Sequence, residues 1–257
     1  MERIIKFLIN NIPRKYLIKG SYLFRKISRF TNRGNDVECP VCGSQFSKFL
    51  SYGYHHVRKN ALCPKCLSLE RHRLIWLYLK NRTGFFRDHL KVLHIAPEQS
   101  FEERFKEMAN LDYTTADLDS PLADYKCNVQ DLPFSDNEFD VVLCNHVLEH
   151  VDDDLKAMSE ILRVMKPGAF AVLLVPIDFS REKTYEDPSI VTPHERQEHF
   201  LQYDHKRLYG RDYTDRLKKA GFEVKEKNYL EELDSNLRKR YALQENELMY
   251  GYRKPSK

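Results

Sequence analysis

Residues 135–153 read SDNEFDVVLCNHVLEHVDD. The short apolar run Phe139–Cys144 is fenced by polar residues and followed by His146, Glu149 and His150, which predicts a buried strand giving way to a rim turn and a helix. The next stretch, Asp152–Lys166, sets Leu155, Met158, Ile161, Leu162 and Met165 on one face. That pattern predicts an amphipathic helix, stopped by Pro167-Gly168. A second apolar run, Phe170–Pro176, follows. Strand, helix and strand in this order are the unit of a parallel sheet covered by helices.

Outward from this unit the alternation continues. Val92–Ala96 and Tyr113–Ala116 are the upstream strands. Downstream, a polar segment at 178–204 interrupts the pattern. A helix over about 211–220 ending at Gly221, a strand at Phe222–Val224 and a last strand near Leu248–Tyr252 complete it. The predicted class is α/β.

Before this region lie two C-x2-C knuckles, Cys39-Pro-Val-Cys42 and Cys63-Pro-Lys-Cys66, with 20 residues between them. Two thiolates at that spacing grip one face of a zinc ion, and two such turns complete a tetrahedral sulfur site. Two disulfides or a redox pair are the alternatives, and the ribbon spacing favours zinc. Four cysteines close the coordination sphere, so the expected role is structural. His55, His56 and His72 are the nearby competitors as ligands. Cys127 and Cys144 stand alone in strand-like contexts, as small core residues do. Reduced thiolates imply a reducing compartment, hence the cytoplasm.

Charge divides the chain. Residues 1–35 hold nine Lys and Arg against one acid, and residues 91–257 hold 24 against 33. The front, 1–35, reads as a basic amphipathic arm of short helices, suited either to packing on its own domain or to docking on a polyanion, a partner or the inner face of a membrane. No apolar run approaches the ~20 residues of a membrane-spanning helix. The expected organisation is therefore an arm at 1–35, a zinc-ribbon-like region at 36–88 and an α/β domain at 89–257.

The order of features after residue 90 resembles the class I S-adenosylmethionine-dependent methyltransferases of the type 11 kind. The motifs are TTADLDS around Asp117, Asp131-Leu132-Pro133-Phe134, SDNEFDVVLCNHVLEHVDD, and LRVMKPGAFAVLLVP. The resemblance implies a Rossmann-like sheet, mostly parallel with an antiparallel last strand, and S-adenosylmethionine as cofactor. It implies that Asp117 accepts hydrogen bonds from the ribose hydroxyls and that Leu118 is a further cofactor contact. Asp131 and the backbone amide of Leu132 address adenine. Asn145 and His146 lie at the carboxyl end of the fourth strand, where ligands of open α/β sheets bind. The loop facing the methionine moiety corresponds to His94, Ala96, Pro97 and Glu98, and unlike the family's first loop it has no glycine.

Methyl transfer to a hydroxyl or amide also needs a base, for which position and neutral-range titration select His146, His150 and His205. The polar segment and its continuation supply His199, His205, Arg207 and Tyr209 as acceptor contacts. The expected acceptor is a small molecule or glycan. An RNA acceptor, held by Arg71, Arg73, Arg82 and Arg87, is the alternative, and the acidic body opposes it. A zinc-bearing binding protein with a degenerate pocket is the third reading, and the presence of both Asp117 and Asp131 opposes that.

Overall fold

The computed structural model describes residues 16, 20, 28, 30–53, 57–225, 227–245 and 247–256. The arm expected over 1–35 lies largely outside the described residues, as do His55 and His56. The chain divides into two compact units, Met1–Thr83 with Tyr229–Glu247, and Gly84–Asn228 with Leu248–Lys257.

In the first unit, β1 (Val37–Cys39) pairs antiparallel with β2 (Ser44–Phe46), and β3 (Leu50–Tyr52) with β4 (Arg58–Leu62). Helix α1 spans Glu70–Arg82 and buries Leu74, Ile75 and Leu79. Just before it, Ser68 places its hydroxyl 3.1 Å from the Cys39 sulfur, and the Leu69 N–H donates to His72 Nδ1 at 3.2 Å. Residues 229–247, read from sequence as part of the methyltransferase domain, pack here instead. Tyr229 meets Tyr78 edge-on at 5.4 Å and donates to the Leu77 carbonyl at 3.2 Å. Arg73 is fully buried under a ring of carbonyls: it donates to Ala61, Ser68, Tyr241 and Ala242, with Phe49 against its guanidinium at 4.4 Å. Burial pushes its pKa down. Arg73 is thus spent inside the unit and unavailable to a phosphate backbone, contrary to the RNA reading.

The second unit contains β5 (Leu90–Ile95), α2 (Gln99–Lys106), β6 (Leu111–Asp117), β7 (Tyr125–Lys126), β8 (Phe139–Asn145), α3 (Asp154–Val164) and β9 (Met165–Leu174). After these come β10 (Tyr185–Glu186), α4 (Pro193–Phe200), β11 (Arg207–Leu208), α5 (Tyr213–Lys219), β12 (Glu223–Lys225) and β13 (Gly251–Arg253). Seven strands form one sheet in the order β12-β13-β9-β8-β5-β6-β7, and β13 runs antiparallel to both of its neighbours. This is the mostly parallel sheet with an antiparallel last strand that the family resemblance implies.

The differences lie at element ends. Helix α3 stops at Val164, because β9 already begins at Met165 and carries Pro167-Gly168 inside it, with Gly168 at φ +76°. The exposed edge strand β7 has no apolar signal to announce it. The central strands are fully buried at Val92, Leu93, Val141, Val142, Leu143, Val172 and Leu173. That rigid core fixes the carboxyl ends of β5, β6 and β8, where the candidate site lies. Among the described residues no helix is long and apolar enough to cross a membrane.

Candidate active site and cysteine cluster

The chain turns out of β5 at Ala96, which takes φ +51°, and out of β8 at His146, which takes φ +54°. Left-handed backbone at non-glycine residues is sparse and clusters at functional turns. Ala96 therefore performs, at some strain, the turn for which a glycine-rich loop would use glycine. Its N–H is held by the Ala116 carbonyl at 2.8 Å, and the His146 N–H by Leu174 at 2.7 Å.

Between these two turns, Glu98 acts as a bridge. Its Oε2 accepts from His94 Nε2 at 2.6 Å and its Oε1 from Asn145 Nδ2 at 3.1 Å, while His94 Nδ1 accepts from the Tyr113 hydroxyl at 2.7 Å. Burial, with the charges of Glu102 and Glu98, drives the Tyr113 phenol upward and keeps it a donor. His94 is fully buried. It therefore orients Glu98 and does not itself reach a ligand, which corrects its place among the cofactor contacts. The Asn145 Oδ1, His146 Nε2 and Glu149 Oε2 atoms are buried without a hydrogen-bond partner. Three orphaned polar atoms at one strand end call for a polar ligand, because a buried group left unpaired costs about 1–3 kcal/mol.

At the end of β6, Asp117 Oδ1 accepts from the Asp119 and Ser120 amides at 2.8 and 2.7 Å, which locks the side chain. No described residue bonds its Oδ2. Leu118 beside it is 59% exposed, an apolar surface suited to a planar ring. Asp131 is exposed, and its charge joins that of Asp117 in raising the Cys127 thiol, burial being the larger cause. The Leu132 amide, by contrast, donates to Glu160 Oε2 at 3.0 Å. It is not free for adenine, so only the Asp131 carboxylate remains from that expected pair.

Glu149 lies in the turn before α3, 1% exposed, with its Oε1 3.2 Å from His146 Nδ1. Burial raises its carboxyl, but the bond and charge of His146 and the charge of His150 outweigh this and hold it below its ordinary range. His150 and His205 meet edge-on at 4.8 Å. His205 is buried, and burial lowers its pKa.

Arg207 and Tyr209, expected to contact the acceptor, are also buried, at 3% and 0% exposure. Arg207 donates to the Leu148, Val151 and Asp152 carbonyls at 2.7, 2.8 and 2.9 Å and to Glu186 at 3.0 Å. Tyr209 donates to Asp154 at 2.8 Å. They are a clamp that holds the segment carrying His205 against the 148–154 turn. His199 is exposed, with Nδ1 2.8 Å from the Tyr185 hydroxyl. A cavity of about 740 Å³ opens beside the clamp, walled by Asp152, Asp153, Glu186, Arg196 and Lys206 among others.

In the first unit, Cys39, Cys42, Cys63 and Cys66 bring their sulfurs within 4.8 Å of one another. The Cys39–Cys66 and Cys42–Cys63 separations are 3.5 and 3.8 Å. Four sulfurs about 2.3 Å from a tetrahedral zinc ion stand about 3.8 Å apart, so the donor set fits zinc. The two knuckles share one backbone design. Gly43 at φ +64° donates its N–H to the Cys39 carbonyl at 2.8 Å, and Leu67 at φ +59° donates to Cys63 at 3.0 Å. His72 does not join this cluster of four sulfurs; its Nδ1 accepts from the Leu69 N–H.

Comparison with known proteins agrees with this fold. Residues 83–173 match the family described as a methyltransferase domain. The chain carries a class I S-adenosylmethionine-dependent methyltransferase domain. Over 62 residues the chain is 47% identical to an uncharacterized protein of Methanocaldococcus jannaschii, covering 23% of this chain and 27% of that one. A further 73-residue alignment is 38% identical to a demethylmenaquinone methyltransferase of Staphylococcus carnosus, covering 28% and 26%. The chain thus spans about a quarter of the length of these relatives. Among solved structures, the [4+2]-cyclase SpnF superposes with a TM-score of 0.51 at 15% identity, over 85% of this chain and 92% of that one. At that identity the likeness concerns the fold alone.

Proposed function

We propose that this protein transfers a methyl group from S-adenosylmethionine to the oxygen or nitrogen of a small-molecule acceptor. The observation that carries the reading is the set of orphaned buried atoms at the end of β8, set beside the locked Asp117 carboxylate. Asp117 Oδ2 would accept the ribose hydroxyls, Leu118 would face the ring system, and Asp131 would accept from the adenine amine. The Ala96–Glu98 turn and Asn145 would hold the methionine end. When bound, the cofactor supplies an electrophilic methyl on a sulfonium sulfur.

The chain's own part is to orient the acceptor and take its proton. His146 Nδ1 faces the Glu149 carboxylate at 3.2 Å, which favours the proton on Nδ1 and leaves the orphaned Nε2 as the basic atom. A proton from the acceptor would move to His146 Nε2, and Glu149 would stabilise the imidazolium that results. His199 and Tyr185 would form the polar edge of the acceptor site. The demethylmenaquinone methyltransferase named above acts on a small molecule by its name, which supports an acceptor of that class. The cysteine cluster would hold one structural zinc ion.

The test is transfer of isotope-labelled methyl from S-adenosylmethionine to a panel of small phenols, quinols and amino sugars, with RNA in parallel. Label in a small molecule, lost in His146→Gln, is the expected result. Label confined to RNA would overturn the acceptor class.

A further inference from the structure

We propose that Glu149, His150 and His205 bind a divalent first-row transition-metal ion. The inference rests on side-chain geometry; it shares Glu149 with the proposed methyl transfer, and the metal titration below reads it without that reaction. One ligand atom from each residue lies within 4.8 Å of the others, so a modest inward turn of the side chains closes the set around one ion. Two imidazoles and a carboxylate are a donor set for zinc, iron, cobalt or manganese with coordination positions left open.

Three further observations point to a ligand here rather than to an ordinary ion pair. Glu149 is 1% exposed, yet its Oε2 has no hydrogen-bond partner while Oε1 serves His146. A buried carboxylate oxygen without a partner is costly unless a cation faces it. The histidines are also oriented as metal ligands are. His205 Nδ1 donates to the Phe200 carbonyl at 3.1 Å, and His150 Nδ1 lies 3.3 Å from the Asp204 carbonyl and 3.4 Å from its carboxylate. Oxygen acceptors at both Nδ1 atoms keep the protons there and leave each Nε2 lone pair for a metal, the usual outer-shell arrangement. Finally, the backbone holds the set together, since the Lys206 N–H donates to the Glu149 carbonyl at 2.8 Å. The open positions would face the rim where His146 stands, so an acceptor oxygen could occupy them.

The test uses the zinc-loaded full chain, its four-cysteine site filled, titrated with Co2+ in the absence of S-adenosylmethionine. One equivalent of Co2+ should bind with weak visible d–d absorption and without the intense sulfur-to-metal charge-transfer bands of a cysteine site. Glu149→Gln and His205→Gln should each weaken binding by at least about tenfold. His194→Ala, an exposed histidine outside the cluster, should leave binding unchanged. If Glu149→Gln fails to fold, His150→Gln at its half-exposed position gives the same reading. Absence of a nitrogen- and oxygen-ligated cobalt spectrum in the wild-type chain would overturn the proposal. So would equal Co2+ affinity in the folded ligand variants.

Discussion

The backbone N–H of Lys206 donates to the carbonyl oxygen of Glu149 at 2.8 Å. This bond joins two segments more than fifty residues apart in the chain and sets His205 beside Glu149 and His150. The bond does not act alone, because Arg207 caps three carbonyls of the same turn.

The clamp makes Arg207 a stability residue. Arg207→Met should lower the unfolding free energy by about 3 kcal/mol or more, since three carbonyls lose a buried charged donor. Urea unfolding at neutral pH measures it. Unchanged stability with impaired acceptor binding would return Arg207 to the substrate role that its place in the sequence suggests.

Ala96 should tolerate glycine and resist a branched side chain. At φ +51°, relief of strain in Ala96→Gly opposes the added flexibility of the unfolded chain, so stability should hold or rise by up to about 1 kcal/mol. Ala96→Val should lose about 1–3 kcal/mol. Denaturant midpoints decide, and a glycine variant less stable than the valine variant would contradict the reading.

The cysteine cluster should hold zinc as a unit. Elemental analysis should find one zinc per chain, and Cys63→Ser should reduce it to near zero with loss of the first unit's cooperative unfolding. Full zinc retention in Cys63→Ser would contradict the tetrahedral assignment.

Asp154 should make stability fall in acid. It is 2% exposed and bonded to Arg216 at 2.6 and 2.8 Å. Burial alone would raise its carboxyl, but the Arg216 bonds and the Arg207 charge hold it below its ordinary value. A folded-state pKa below the unfolded one gives stability that is fully present above the unfolded value, near 3.9, and is lost as pH falls through the folded one. Asp154→Asn should be less stable at neutral pH and should lack this part of the acid loss. An identical acid profile in both proteins would remove Asp154 as its source.

Legibility in the sequence followed burial. Val141–Cys144 and Val92–Ile95 are buried throughout, so short, mainly apolar runs marked them as strands of a covered sheet. The edge strand Tyr125–Lys126 is exposed and left no such mark. Asp117 was legible because it ends a strand, and the cysteines because four residues of one rare type share a spacing. Arg207 and Tyr209 misled because a polar side chain in a polar segment reads the same whether it faces a ligand or caps a carbonyl. The Glu149–His150–His205 cluster stayed hidden because its third member comes from a segment brought close only by the fold. Residues 229–247 lie between two strands of the sheet, and nothing local says that they pack with the cysteine unit.

Calorimetric titration of S-adenosylmethionine into the full chain and into Asp117→Ala tests the central claim most directly. One equivalent should bind the wild-type chain, and Asp117→Ala should bind at least about tenfold more weakly, the loss of about 1.4 kcal/mol or more from the ribose contacts. Absence of binding to the folded wild-type chain, or equal affinity in both proteins, would contradict the account.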